Sequence, residues 1–234
     1  DLYNRLLYWP IGHIDQAAIA NPTSNGDVVS SVSLRRYFIA ALKSDKYPSG
    51  PPYFKIEGLV AMPKRELWFG VREVGPDFEH PDYTVTILRA SYSKSGDGTV
   101  ALRPPFSVVT RVDPSVRLPS ADRLGLSSLA RHDDALAMLT SREAPEGQVG
   151  HESYIWVARH AAEADLDFQV VANADGKPLK LPCKAEGVDF VSPSRLLIVC
   201  DEDRSPSTFA RSGGERFTRR PDQGVFMMVD LSGL

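Results

Sequence analysis

The 234-residue chain is 42% hydrophobic and 24% charged, enough apolar material for one β-rich domain with a sizeable core. A net charge of −3, from 27 basic and 30 acidic side chains, leaves no basic footprint for nucleic acid. Apolar runs are strand-length, well short of the about 20 residues that a membrane-spanning helix needs. The partners left open are a small anionic ligand or another protein, in the cytoplasm, the periplasm or outside the cell.

From the start of the chain, Leu6-Leu7-Tyr8-Trp9 has the pattern of the second strand of a hairpin, and Val29 to Leu42 supplies candidate outer strands. Asp1 is not a methionine, so the expectation is a first unit whose inner strand belongs to upstream sequence. Ile56 to Glu73 then holds two short apolar runs broken by Pro63-Lys64-Arg65-Glu66, too short for helices and bounded by turn residues, which predicts a β-hairpin. A strand over Tyr83 to Ala90 follows, with Gly96-Asp97-Gly98 as a hairpin turn. Leu124 to Glu143 reads as a second hairpin around His132-Asp133-Asp134, where Asp suits a turn. A strand over Tyr154 to Arg159 precedes a third hairpin at Ala185 to Glu202, and Val225 to Leu231 adds a last strand. Between them, Arg211 to Arg220 reads as a solvated basic loop.

The first and third hairpins are variants of one segment: IEGLVAMPKRELWFGVRE and AEGVDFVSPSRLLIVCDE align without a gap. The middle one is a weaker copy, its turn two residues longer, with Leu124 where the others carry Glu57 and Glu186. Units that recur in this way stack because none buries its apolar face alone. Units of three or four antiparallel strands, at roughly 40–60 residues each, predict an all-β, β-propeller-like fold. About four units are visible, around Leu7, Gly58, Gly125 and Gly187. They form one domain over 1–234, with an incomplete first blade, and part of a larger propeller is allowed. Cys183 and Cys200 flank the third hairpin; a turn near Pro193 sets Cys200 opposite Gly187, out of register for a cross-strand bridge, so both read as free thiols.

Ile56-Glu57-Gly58-Leu59 with Leu67 to Arg72, Gly125-Leu126-Ser127, and Glu186-Gly187-Val188 with Leu197-Ile198-Val199 and Asp201 resemble the bacterial family described as domain of unknown function 3616. The resemblance runs from Ile56 to Asp203 and implies a propeller-like fold without an established reaction. A looser similarity reaches the phytase-like esterase and lactonase propellers, in which acidic residues at the start of inner strands hold a metal in the central channel.

A hairpin returns to the end from which it left, so Glu57 shares a rim with Arg72 and Glu73, Glu186 shares one with Asp201, Glu202 and Asp203, and Ser141 and Arg142 mark the corresponding place in the middle unit. Glu57, Glu186 and Asp201 are therefore candidate ligands for Ca²⁺ or Mg²⁺. Arg72 and Arg142 are candidates for receiving an anionic substrate, and Arg72 and His13 for the chemical step. The alternative is that each Glu serves its own hairpin by accepting N–H groups or pairing with Arg. The glycine after each Glu marks either a bulge or a close approach, and Trp68 packs between units. Two functions follow: a metal-dependent hydrolase of a small ester, lactone or phosphoester, or a non-catalytic propeller that binds a protein or small ligand.

Overall fold

The computed structural model describes residues 4–118, 124–143, 151–159, 166–201, 207–210, 214–220 and 222–231. It is all-β with antiparallel sheets, and none closes on itself. The strands are β1 (Leu7–Tyr8), β2 (Ala18–Ile19), β3 (Thr23–Asn25) and β4 (Val28–Ser30). After the helix α1 (Arg35–Ala41) come β5 (Tyr53–Met62), β6 (Glu66–Gly75), β7 (Asp82–Lys94) and β8 (Val100–Val112). Next are β9 (Gly125–His132), β10 (Ala135–Glu143), β11 (His151–Ala158) and β12 (Gln169–Val170). The last are β13 (Ala185–Ser192), β14 (Arg195–Cys200), β15 (Ser207–Ala210), β16 (Arg216–Arg219) and β17 (Val225–Asp230). Three larger sheets run β5-β6-β7-β8, β9-β10-β11-β12 and β13-β14-β17. Among the described residues no helix is long and apolar enough to cross a membrane.

Side chains alternate between the two faces of a strand, and here both faces of the central strands are covered. On β6, Trp68 packs with Leu126, Leu136, Met138 and Trp156 of the next sheet, while Phe69 and Val71 turn the other way onto Leu34 and Phe38. On β10, Leu136 and Met138 face the first sheet; Ala137 and Leu139 face Val188, Leu196 and Ile198 of the third. Double coverage explains why these strands read as unbroken apolar runs and not as alternating ones. Trp68 therefore lies between sheets, as expected from its size.

The beginning of the chain departs from expectation. Leu7–Tyr8 is the first strand of a small pair with Ala18–Ile19, and Val29 to Leu42 does not form outer strands. Only Val28–Ser30 is extended, and a short 3₁₀ turn then leads into α1. The reason is spacing: Leu34, Phe38 and Leu42 recur every four residues, so one helical face buries all three. Phe38 meets Phe69 and Phe106 edge-on with ring centroids 5.0 and 4.9 Å apart, docking the helix on the first sheet.

The three hairpins share a register. Five pairs run from Met62 opposite Glu66 to Gly58 opposite Gly70, and then Glu57 is skipped. In the second, five pairs run from His132 opposite Ala135 to Ser128 opposite Leu139, and Ser127 is skipped. In the third, five pairs run from Ser192 opposite Arg195 to Gly187 opposite Val199, and Glu186 is skipped. Counted from the turns, Ser127 and not Leu124 corresponds to Glu57 and Glu186. An alignment anchored on the glycines misplaces the middle copy, because Gly125 belongs to an earlier part of its strand.

Bulges also overturn the expectation of free thiols, since Cys183 and Cys200 form a disulfide with Cα atoms 5.9 Å apart. Val191 and Glu186 are both left out of the β13–β14 ladder. Each extra residue moves the register by one, so Cys200 lies opposite Ala185 instead of Gly187, within reach of Cys183. The basic stretch is not simply a solvated loop either: Arg216–Arg219 pairs with Ser207–Ala210, and Arg219 is buried. Arg211 to Gly213 lies outside the described residues.

Candidate functional site

Glu57 and Arg72 both sit where the β5–β6 ladder skips a residue. A residue outside the ladder is free to aim its side chain off the regular pleat, and these two aim at each other. Arg72 is 2% exposed, and its Nη1 donates to Glu57 Oε2 at 3.0 Å, Ser127 Oγ at 3.0 Å and Ser141 Oγ at 2.9 Å. One Nη carries two hydrogens for these three acceptors. The hydroxyls resolve the shortfall between themselves, as Ser127 and Ser141 are 2.5 Å apart and one donates to the other. The Nε of Arg72 lies 3.4 Å from Glu73 Oε1, and Tyr53 donates to the other oxygen of Glu73 at 3.0 Å. The guanidinium also lies over the ring of Tyr83, 5.3 Å from its centroid.

Gly125 makes the approach possible. A Cβ there would lie 2.7 Å from both Arg72 Cγ and a ring carbon of Tyr83, so the start of β9 crosses Arg72 only without a side chain. Gly58 plays a related part, since a Cβ on it would come within 2.8 Å of Leu126 and 2.9 Å of Leu129. Gly187 differs, its nearest neighbour being 3.5 Å away on Val199 of its own hairpin. Bulge and close approach thus coincide at Gly58, while only the bulge holds at Gly187.

Burial works against the charge of Arg72, but Glu57, Tyr83, Glu73 and Glu186 together outweigh it and raise its pKa. Glu186 is shifted up as well, foremost by burial and further by Glu57, against the pull of Lys184 and Arg72. Lys184 Nζ is 3.4 Å from Glu186 Oε1. Glu57 and Glu186 are thus brought into one electrostatic neighbourhood around Arg72. Tyr53 is pushed up to about 12, mainly by burial and then by its bond to Glu73.

The other candidates are more scattered. Asp201 is exposed, and its backbone N–H donates to Lys184 O at 2.9 Å; Glu202 and Asp203 lie outside the described residues. Arg142 pairs with Glu152 at 3.3 Å across β10 and β11. His13 occupies an exposed turn ahead of Ile14–Gln16, with no bond from its ring to Glu57, Arg72 or Glu186. Five participants went unread as site residues in the sequence: Tyr53, Lys55, Tyr83, Ser127 and Lys184. Counting from the hairpin turns finds Ser127; the lysines stand two residues before Glu57 and Glu186, a shared spacing that marks them.

These residues do not fit a cage for Ca²⁺ or Mg²⁺, which takes six or more oxygen ligands with water making up the set. Lys55 holds Glu57 Oε1 at 2.6 Å while Arg72 holds Oε2, so cations already occupy both oxygens. Among the described residues no three His, Cys, Asp or Glu side chains gather as a ligand set. Lys55, Arg72 and Lys184 instead balance Glu57, Glu73 and Glu186, a mutually neutralised cluster. Fold and site together define an all-β chain of stacked antiparallel sheets with a buried arginine between the first two. Comparison with protein families, curated proteins and solved structures finds no match to this chain.

Proposed function

We propose that the chain is a β-propeller-like binding module, not a catalyst, in which the three larger sheets are successive blades. The shared register of the three hairpins supports the blade reading. The single observation carrying the non-catalytic reading is the engagement of both oxygens of Glu57 by Lys55 and Arg72. Each oxygen of this carboxylate already faces a fixed cation, so a metal ion arriving there meets two positive neighbours. The module receives a small anionic ligand or a protein partner at the face that carries this cluster.

A second reading, hydrolysis of a small ester, lactone or phosphoester, is favoured by Glu186. Burial first, and then Glu57, raise its pKa above the ordinary glutamate value, the direction that suits a carboxyl serving as a general acid. Elemental analysis of protein purified without chelator, melting curves with Ca²⁺ or EDTA, and turnover of ester, lactone and phosphoester probes separate the two. The binding reading expects no stoichiometric ion, no shift and no turnover. Turnover that disappears in Glu186→Gln, in a variant that melts no lower than its parent, establishes the hydrolase instead.

A further inference from the structure

A cavity of about 530 Å³ opens between the segment Asn4–Leu6, the start of α1 and strand β5, and ends against Glu57 and Gly58. Its floor is apolar and well buried, made by Leu34, Phe38 and Phe69. Phe54 and Ile56 continue the wall, and the half-exposed Leu59 stands at the edge. Three cations border it, Arg5, Arg35 and Lys55, against one carboxylate, Glu57. Lys55 is committed to Glu57. The two arginines are not committed to any carboxylate among the described residues.

Both guanidinium groups are held in place nonetheless. Arg35 Nη2 donates to Pro52 O at 2.6 Å, and its guanidinium carbon lies 4.6 Å from the centroid of Phe54. Arg5 Nε donates to Val29 O at 3.0 Å. The backbone around Arg5 is pinned on both sides by one residue: Ser31 N donates to Asn4 O at 2.7 Å, and Leu6 N donates to Ser31 Oγ at 3.1 Å. Each arginine thus spends one N–H on a carbonyl and keeps the others, oriented before any ligand arrives. Pre-ordering removes part of the entropic cost of binding, and the planar guanidinium fork suits carboxylate.

The geometry points to this cavity as the binding site for a small monocarboxylate with an aromatic or branched apolar body. The body lies on Leu34, Phe38 and Phe69, and the carboxylate meets Arg5 and Arg35. The volume falls within the range of small-molecule pockets, roughly 300–1,000 Å³. This inference rests on the binding-module reading and names its ligand class.

Isothermal titration calorimetry of the full chain with 4-phenylbutyrate tests it, with 4-phenylbutan-1-ol and butyrate as the probes lacking charge and apolar body. One site for 4-phenylbutyrate is expected, with each control at least about tenfold weaker. Arg5→Gln and Arg35→Gln should each weaken 4-phenylbutyrate about tenfold, the scale of one charge-assisted contact. Arg35 also anchors Pro52; if its variant misfolds, Arg5→Gln on its exposed segment still decides. No binding of 4-phenylbutyrate at millimolar concentration, equal binding of acid and alcohol, or unchanged affinity in Arg5→Gln overturns the proposal. Such a failure in a protein without turnover leaves the binding-module reading standing. Turnover lost in Glu186→Gln, with 4-phenylbutyrate still bound, overturns that reading and spares the cavity.

Discussion

Arg72 and Ser127 lie 55 residues apart on different sheets, and the Nη1 of one donates to the Oγ of the other across 3.0 Å. Glu57 accepts from the same nitrogen, so the residues skipped in the first and second hairpins are joined through one buried cation. Removing that cation leaves its acceptors facing a space where it had been. Breaking a buried pair by deleting one partner costs about 3–5 kcal/mol. Arg72→Ala is expected to destabilise on that scale in urea unfolding. Ser127→Ala should lose less, and the double variant less than the sum, with a coupling of about 0.5–3 kcal/mol. Strict additivity would mean that the bond does not fasten the sheets.

Gly125 and Gly187 align in the sequence, yet the structure predicts opposite responses to alanine. At Gly125 the new Cβ meets Arg72 and Tyr83 at 2.7 Å and the Arg72 carbonyl oxygen at 3.1 Å; overpacking of this kind costs about 1–3 kcal/mol. At Gly187 the nearest atom is at an ordinary 3.5 Å, so alanine there should be neutral or stabilising by up to about 1 kcal/mol through the unfolded chain. Thermal melts of the two variants decide, and an equal loss at both positions would contradict the close approach at Gly125.

Apolar runs and turn residues made the three hairpins and the all-β class legible, because doubly covered strands and tight turns leave local signatures. Helix α1 was legible in principle, through Leu34, Phe38 and Leu42, but its β-like neighbours Val28 and Val29 drew the strand reading across it. Bulges leave no mark in composition. Skipping Glu57, Ser127 and Glu186 changes what each opposing residue meets, and this one uncounted shift hid both the role of Ser127 and part of the Cys183–Cys200 register. Hairpin geometry puts Glu57 and Arg72 on one rim, and the two bulges turn their side chains toward each other. That Lys55 takes the other oxygen depends on side-chain reach, which periodicity does not encode.

Cys183 and Cys200 close a loop with a sequence separation of 17. A cross-link over about 15 residues stabilises by about 3 kcal/mol, chiefly by restricting the unfolded chain. The double variant Cys183→Ala/Cys200→Ala should unfold at lower urea by that amount. Dithiothreitol should bring the unsubstituted protein to the same midpoint and leave the variant unmoved. Two thiols titrating in denatured, unreduced protein would show that the bridge does not form.

Glu186 gives the clearest dependence on pH. Its pKa in the folded chain is raised above the ordinary glutamate value, first by burial and then by Glu57, while Lys184 and Arg72 pull the other way. A raised carboxyl means that the folded state holds its proton more tightly than the unfolded one. The stabilising contribution is therefore complete below about pH 4, near the ordinary glutamate pKa, and is lost as pH rises through the folded value. At neutral pH the ionised side chain is a net burden in spite of its contact with Lys184. Glu186→Gln, which has no charge to bury, should melt higher than the unsubstituted chain at pH 7, with the advantage vanishing at pH 4. Melting curves at half-unit steps between these limits measure it. A variant that instead melts lower at pH 7 than its parent, with the difference closing at pH 4, would show that the ion pair with Lys184 outweighs burial.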